Sequence, residues 1–169
     1  MRWYWIDRFI EFESGRRAKA VKAVSLAEEH LHDHFPEYPV MPHTLIIEGV
    51  AQTGGLLVAE HNAFAEKVIL AKVSQAEFNG EAMPGDILTY TTDVEYIKKD
   101  GAMVVGTVHR GQELFGQMEL VFAHLQTGHE TRTLYEPQTF LKMMRMLGAY
   151  DIGHADDGSP LVEPAEMFD

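Results

Sequence analysis

The chain has 169 residues, which is the length of one ordinary domain and enough to bury a substantial core. Hydrophobic residues make up 46% of it and charged residues 24%, a composition typical of soluble globular proteins that argues against a disordered or membrane-spanning chain. The formal net charge of −12 argues against nucleic acid as a main partner, because phosphate binding needs clustered lysines and arginines. The absence of cysteine excludes disulfides, thiolate chemistry and cysteine-ligated metals.

Neither a membrane span nor a secretion signal is predicted. The longest mainly apolar stretch, residues 45–59, is interrupted by Glu48 and Gln52 and is too short to cross a bilayer. The N-terminal run MRWYWIDRF contains Asp7 and Arg8 and lacks the pattern of a signal peptide. We therefore expect a cytoplasmic protein that does not act at a membrane.

The first elements predicted are the two strands of a hairpin. Residues 3–12 are rich in aromatic and β-branched side chains, and residues 18–24 form the partner strand beyond a turn at residues 13–15. The only locally basic stretch, GRRAKAVK, lies here, and Arg17 and Lys19 would share one face of the strand. We interpret this face as solvated; a docking patch for an acidic partner is the alternative.

A loop and a buried helix come next. Residues 26–42 are rich in histidine, proline and acidic side chains and predict a loop with one short helical turn. Thr44 is placed to cap a helix that runs to about residue 63. Apolar side chains cover several faces of this helix, so we expect it to be buried. Each glycine within it lowers the stability of the helix by about 1 kcal/mol relative to alanine. They fit a sheet that wraps closely around the helix: Gly49, Gly54 and Gly55.

Four strands and a final helix follow. The strand-like runs are residues 68–78, 87–97, 102–110 and 113–125. Polar and apolar residues alternate in the second run, which is typical of an antiparallel sheet with one face in water. Pro137 opens a helix with an apolar stripe made of Phe140, Leu141, Met144 and Leu147.

These elements predict an α+β domain in which a curved antiparallel sheet wraps a central buried helix. Residues 1–150 would form this single domain. Residues 151–169 are rich in glycine, proline and acidic side chains and are expected to form a loosely held tail.

The segment before the buried helix is dense in histidine. His30, His32 and His34 surround Asp33 in an HxHDH cluster, which raises the question of a metal site. The imidazoles would lie on one side only in an extended segment, and no further ligand obviously converges on them. Because a catalytic zinc usually has three protein ligands and an open position, we expect no metal here.

Glu48 lies in the second turn of a helix with largely apolar side chains. A buried carboxylate is costly unless it is paired or protonated. One interpretation is a structural carboxyl that is hydrogen-bonded to the backbone or to Gln52 one turn later. The other is a catalytic group close to a helix N-terminus, where free N–H groups would hold a thioester oxyanion.

The segment that begins at His34 resembles the signature of the β-hydroxyacyl-acyl-carrier-protein dehydratases of the FabA/FabZ type. Their loop and helix read HFPxxPVMPG, then Glu or Asp, then AxAQ, and this chain has HFPEYPVMPH, Glu48 and GVAQ. The agreement extends to YWIDRF before the motif and AEFNGEAMPGD after it, and it covers residues 4–125. The resemblance implies a hotdog fold and dehydration of β-hydroxyacyl thioesters to trans-2-enoyl thioesters without a cofactor.

The resemblance also implies roles for individual residues. His34 would be the base that removes the α-proton, Glu48 would assist the departing water, and the backbone N–H of His43 would bind the carbonyl oxygen. The substrate pocket is expected at Phe35, Pro36, Val40, Met41, Pro42 and Gln52.

Assembly and substrate carrier follow from the same resemblance. The site would be shared in a homodimer, with His34 of one subunit facing Glu48 of the other, and hexamers built from dimers are common in the family. The substrate would be a thioester of acyl carrier protein or coenzyme A. Glu rather than Asp at position 48 implies dehydration without double-bond isomerisation.

The chain departs from the signature at two positions, where His43 and Glu37 stand in place of the usual glycines. The strand around Phe78 also lacks the basic residues usual in the family. The two extra polar side chains motivate one alternative function, the binding of acyl thioesters without turnover. Thioester hydrolysis on the same fold is the other alternative.

Overall fold

The computed structural model describes residues 3–125 and 137–164. The first part of the chain forms a hairpin, a short helix and a long helix, and the second part adds four strands and two helices. The elements are β1 (Arg8–Glu13), β2 (Arg17–Ala23), α1 (His30–Asp33), α2 (His43–His61), β3 (Lys67–Phe78), β4 (Ile87–Lys98), β5 (Gly101–Arg110), β6 (Glu113–Leu125), α3 (Pro137–Met146) and α4 (Ala149–Ile152).

The six strands form one antiparallel sheet in the order β1-β2-β4-β5-β6-β3. Helix α2 packs against β2, β3, β4, β5 and β6, so the sheet curves around it. The predicted α+β hotdog fold, a curved antiparallel sheet around a central buried helix, is confirmed. Strands β1 and β3 lie at the two edges of the sheet.

Helix α2 is enclosed as tightly as its glycines indicated. A Cβ atom placed on Gly49 would lie 2.5 Å from the ring of Tyr90, and one on Gly54 would lie 3.0 Å from Val104. Tyr90 on β4 and Val104 on β5 are themselves buried, so they have little freedom to move away. The predicted burial of the helix is therefore confirmed. Within the described ranges no helix, α2 included, is long and apolar enough to span a membrane.

Two element ends differ from the prediction. Helix α2 begins at His43 after Pro42, and within the described chain the predicted cap residue Thr44 is exposed and gives no side-chain cap. Strand β1 begins only at Arg8, not at residue 3. Asp7 still donates its backbone N–H to Val21 of β2, whereas the backbone N–H of Trp5 donates to the side chain of Gln52 on α2.

The alternation predicted for the second of the later strands is confirmed in β4. Leu88, Tyr90 and Thr92 are buried, and the residues between them are partly exposed. The pattern ends where the register with β5 shifts between Val94 and Tyr96. One face of β4 thus packs on α2 while the other meets water.

The C-terminal segment packs onto β1. Leu141 and Met144 of α3 are buried, as the apolar stripe predicted. Beyond α4, the N–H of His154 donates to the carbonyl of Phe12 at 2.8 Å, and the carbonyl of His154 accepts the N–H of Ser14 at 2.9 Å. Because these bonds extend the sheet edge, residues 151–164 do not form the loosely held tail that was expected; residues 165–169 lie outside the described residues.

Candidate active site

Glu48 lies on the second turn of α2, next to the segment that precedes β1. Its Oε1 accepts hydrogen bonds from the indole Nε1–H of Trp3 and from the Nε2–H of Gln52, each with a donor–acceptor distance of 3.0 Å. Within the single chain the side chain is only partly buried, which differs from the buried carboxyl expected from the sequence. The bond to Gln52 is the one-turn contact of the structural interpretation, whereas the bond to Trp3 was not foreseen.

Gln52 joins α2 to residues 3–5, which we call the aromatic strap. Its Nε2 also donates to the carbonyl of Trp3 at 2.9 Å, and its Oε1 accepts the backbone N–H of Trp5 at 2.9 Å. The rings of Trp3 and Trp5 meet edge to face, with centroids 5.4 Å apart. These contacts hold the aromatic strap across α2 beside Glu48.

His34 follows α1 and begins a tight loop that leads to α2. Its carbonyl accepts the backbone N–H of Val40 at 2.8 Å, and Phe35 and Tyr38 exchange two backbone hydrogen bonds of 3.0 Å within the loop. The imidazole of His34 stacks on the ring of Phe35, with centroids 4.3 Å apart, and remains partly exposed. Among the residues that the structure describes, no hydrogen bond, ion pair or ring contact joins His34 to Glu48 of the same chain.

His43 is the first residue of α2, and its side chain is directed at the end of β3. Its Nε2 lies 2.9 Å from the carbonyl oxygen of Gly80; because a carbonyl only accepts hydrogen bonds, this nitrogen carries a proton. The ring stacks on Phe78 with centroids 4.2 Å apart and an interplanar angle of 3°. His43, which stands where the similar signature has glycine, therefore ties the start of α2 to the sheet.

The N-terminus of α2 offers unpaired backbone donors. The carbonyl of Pro42 accepts the N–H groups of Leu45 at 2.9 Å and Ile46 at 3.3 Å. In the described part of the chain, the N–H groups of His43 and Thr44 have no acceptor. Together with the positive end of the helix dipole, such groups bind an oxyanion well.

An apolar pocket of about 140 Å³ lies against the face of α2 that carries Glu48 and Gln52. Small side chains of α2 make room for it, and larger apolar side chains from β3, β6 and α3 complete its wall. Its other lining residues are Ala51, Gly55, Leu56, Ala59, Val68, Leu70, Phe122, Phe140 and Met143. An apolar cavity with a carboxyl at one end suits an acyl chain that carries a polar reacting group.

Of the residues expected to line the pocket, Gln52 lies in its wall. Within the described chain the others do not, because they belong to the loop before α2 whereas the pocket follows the helix: Phe35, Pro36, Val40, Met41 and Pro42. Phe35 and Pro36 are exposed, and Val40 and Met41 are buried. Sequence analysis missed most of the lining residues. One pattern could have indicated those on α2, because small residues recur there at every fourth position: Ala51, Gly55 and Ala59.

The cations of the basic hairpin segment face acidic partners. Arg17 bonds to Asp93 and Lys19 bonds to Glu11, each at 2.6 Å. The hydrogen bond to Asp93 raises the pKa of the Arg17 guanidinium above its usual range. This pairing supports the interpretation of a solvated face over that of a docking patch.

The histidines before α2 do not converge on one point. Because α1 is helical and not extended, His30 and His32 project in different directions. The ring of His30 meets Trp5 edge to face at 5.1 Å, and burial lowers the pKa of this imidazole. Across residues 3–125 and 137–164, no three His, Asp or Glu side chains are placed to hold a metal ion together.

Sequence comparison assigns these features to a known family. The model of the FabA-like domain matches residues 3–120, a range that includes the His34 loop and Glu48. The chain belongs to the FabA-like domain family. One member, the 3-hydroxyacyl-[acyl-carrier-protein] dehydratase FabZ of Pelotomaculum thermopropionicum, is 38% identical over 119 residues, which cover 70% of this chain and 85% of that protein.

Solved structures share the fold of this FabA-like chain at low sequence identity. The protein PH1136 from Pyrococcus horikoshii superposes with a TM-score of 0.61 and 16% identity, covering 75% of this chain and 88% of its own. The protein smu.793 from Streptococcus mutans, solved with acetyl CoA bound, has a TM-score of 0.57 and 13% identity, covering 70% and 87%. Both likenesses concern the fold alone.

Proposed function

We propose that this FabA-like protein dehydrates β-hydroxyacyl thioesters to trans-2-enoyl thioesters, with His34 as the base and Glu48 as the acid. The chain is a hydro-lyase of fatty-acid biosynthesis, since its family includes the dehydratase that is 38% identical to it. The observation that carries the assignment of residues is the carboxyl of Glu48 at one end of an apolar pocket.

Dehydration requires a base, an acid and a donor for the carbonyl oxygen. In our proposal His34 removes the proton from Cα, and the electron pair left behind forms the double bond to Cβ. The C–O bond at Cβ breaks, and the hydroxyl takes a proton from Glu48 and leaves as water. The thioester oxygen gains negative charge during this step, and the N–H of His43 at the start of α2 stabilises it.

The hydrogen bonds around Glu48 orient its carboxyl for the proposed step. Trp3 and Gln52 both donate to Oε1, each at 3.0 Å. The other oxygen, Oε2, is therefore the one that would hold and deliver the proton. Because Gln52 also binds the aromatic strap, the carboxyl is held in one orientation before substrate arrives.

A second copy of the chain completes the site in this proposal. Strand β3 is at a sheet edge, and its Leu70 and Val73 are 37% and 39% exposed. An edge strand with exposed apolar side chains favours pairing with another strand. Pairing of two β3 edges would let His34 of one subunit approach Glu48 of the other. A hexamer and a cytoplasmic location remain predictions.

The acyl group would be carried by acyl carrier protein or by coenzyme A. The relative from Pelotomaculum is named for the acyl-carrier-protein substrate, which favours the first. The basic hairpin does not help to bind an acidic carrier, because Arg17 and Lys19 are already paired with carboxylates. The assay that tests the function therefore compares thioesters of both carriers.

The alternative function, binding of acyl thioesters without turnover, was suggested by the side chains of His43 and Glu37, and their positions do not support it. The imidazole of His43 packs on Phe78, and Glu37 is exposed on the loop. Neither side chain lies in the wall of the pocket as the described residues form it. The two departures from the family signature thus leave the proposed chemistry unobstructed.

The test is an absorbance assay of enoyl-thioester formation and hydration, run with both carriers on the wild type and on Glu48→Gln. We expect interconversion by the wild type and a decrease of about 100-fold or more in the variant, which keeps its fold. Release of free thiol without enoyl product would instead identify a hydrolase. A product with a shifted double bond would contradict the expectation of dehydration without isomerisation.

A further inference from the structure

The far wall of the apolar pocket comes from a part of the chain that lies beyond the FabA-like match. That match ends at residue 120, whereas α3 spans Pro137–Met146. Phe140 and Met143 of α3 line the pocket together with Phe122 of β6. The family domain by itself therefore does not form the whole pocket of this protein.

The pocket follows one stripe of α2 away from Glu48. Glu48, Gln52, Gly55 and Ala59 succeed one another along the helix at spacings of three or four residues. The helix rises by about 16 Å between the first and the last of them. A Cβ atom on Gly55 would lie 3.3 Å from the ring of Phe122, so this glycine lets the Phe122 ring pack against the middle of the stripe.

Phe140 lies at the opposite end of this stripe. Its ring stacks on Phe64 with centroids 6.3 Å apart and an interplanar angle of 12°. Phe64 is buried just beyond the C-terminal end of α2, whereas Glu48 is in the second turn. Met143 is one turn further along α3 and is 8% exposed. The two α3 side chains therefore stand where the tail of a bound acyl chain would end.

Helix α3 is held firmly against the domain. The carbonyl of Leu147, directly after the helix, accepts the backbone N–H of Phe9 on β1 at 2.8 Å. The Nε–H of Arg145 donates to Glu163 at 2.7 Å, which links the helix to the C-terminal segment. Leu141 of α3 is buried in the core. Moving this wall to admit a longer chain would break several of these contacts.

We propose that Phe140 and Met143 close the acyl pocket and set the longest acyl chain that it accepts, which makes short-chain β-hydroxyacyl thioesters the preferred substrates. This inference rests on the proposed function, because it takes Glu48 as the reacting end of the pocket. The part of the pocket that one chain forms has a volume of only about 140 Å³, and α3 of the same chain borders it. A longer chain has to displace both side chains or leave its last methylene groups in water.

Binding of non-reacting analogues tests the inference separately from catalysis. The analogues are β-hydroxyacyl amides, made from a carrier whose thiol is replaced by an amine, so that nitrogen stands where the thioester has sulfur. Titration calorimetry with a series of acyl lengths gives the length at which affinity stops rising. We expect Phe140→Ala and Met143→Ala to move this limit to longer chains, with a gain of about fourfold for each methylene newly accommodated. Met146→Ala is the matched control, because Met146 is on the same helix but 50% exposed and outside the pocket wall.

Met143→Phe makes the side chain in the pocket wall larger instead of smaller, so it leaves no cavity in the core. We expect it to move the limit to shorter chains, and it decides the question even where an alanine variant fails to fold. An unchanged limit in Met143→Phe would overturn the inference, as would a shift of equal size in Met146→Ala. Turnover of the matching thioesters is measured in parallel: no dehydration at any length overturns the proposed function, while the calorimetric limit still decides whether α3 closes the pocket.

Discussion

The imidazole of His43 lies parallel to the ring of Phe78, with centroids 4.2 Å apart, and its Nε2 is 2.9 Å from the carbonyl of Gly80. One side chain thus connects the start of α2 with the end of β3 and the residues after it. The backbone N–H of His43 needs no side chain to act, so the residue combines a backbone role in the proposed chemistry with a structural role for its ring.

His43→Gly restores the residue usual in the family and should separate these two roles. We expect the free energy of unfolding to fall by about 1–2 kcal/mol, because a stacked ring pair and one hydrogen bond are lost. The rate of dehydration should change little, since the backbone donor remains. Urea unfolding and the enoyl assay measure the two effects. His43→Phe, which keeps the stack and loses the hydrogen bond, should be intermediate in stability; a glycine variant as stable as the wild type would contradict the structural role.

His34→Ala should lower the rate of dehydration by about 10²–10⁴-fold, the usual contribution of a general base. The thermal unfolding temperature should stay close to that of the wild type, because the imidazole is partly exposed and stacks on the ring of Phe35, which is itself exposed. His32→Ala is the matched control, since His32 is exposed two positions earlier. Equal losses in both variants would point to damage in α1 instead of loss of a base.

Trp3→Phe should reduce kcat by about five- to tenfold and leave KM nearly unchanged. The indole Nε1–H that donates to Glu48 is lost, whereas the pocket wall, to which Trp3 does not belong, is preserved. Steady-state kinetics with one thioester measures both constants. Gln52→Leu removes the second donor and should lower kcat further. A change confined to KM would show that the aromatic strap acts on substrate entry and not on the orientation of Glu48.

Val73→Glu should convert the proposed dimer to an inactive monomer. Two carboxylates would face each other across the paired β3 edges, and a site that needs groups from two subunits would then be incomplete. Sedimentation velocity gives the assembly state, and the enoyl assay gives the activity of the same samples. Val162→Glu is the matched control, because Val162 is 78% exposed on the C-terminal segment. An active monomer would refute the shared site.

Glu60→Gln should remove a pH dependence of stability. Burial raises the pKa of Glu60 above its ordinary value of 4.5, outweighing the lowering by Ser14 and His61. A raised pKa means that the folded state binds more protons than the unfolded state. Its stabilising contribution is therefore complete below about pH 4.5 and is lost as pH rises through the folded-state value.

Urea unfolding from about pH 4.5 upward measures how the free energy of unfolding depends on pH. Relative to Glu60→Gln, whose neutral amide does not titrate, the wild type should lose stability as pH rises. Glu37→Gln, which changes an exposed carboxyl, should keep the wild-type slope. A slope in Glu60→Gln as steep as in the wild type would assign the dependence to other groups.

Sequence patterns predicted the secondary structure correctly where the pattern involves residues close together in the chain. The all-round apolar surface and the glycines of residues 43–61 indicated a buried helix, and the alternation around Tyr90 indicated a strand with one wet face. The run from His34 to Gln52 resembled the FabA/FabZ signature, and the comparisons established the family. Helix ends were less secure: Thr44 has the side chain of a cap, but the chain enters α2 through Pro42 without using it.

The sequence by itself therefore determined the fold class and the family, and it supplied His34 and Glu48 as the residues of the proposed chemistry, because each depends on neighbours within a few turns of the chain. Tertiary structure alone decided that Trp3 bonds to Glu48, that the ring of His43 packs on Phe78, and that Phe140 lines the pocket. These contacts join residues that are tens of positions apart. They depend on how far the sheet curls and where α3 docks, which follow from the packing of the whole core and not from any local pattern.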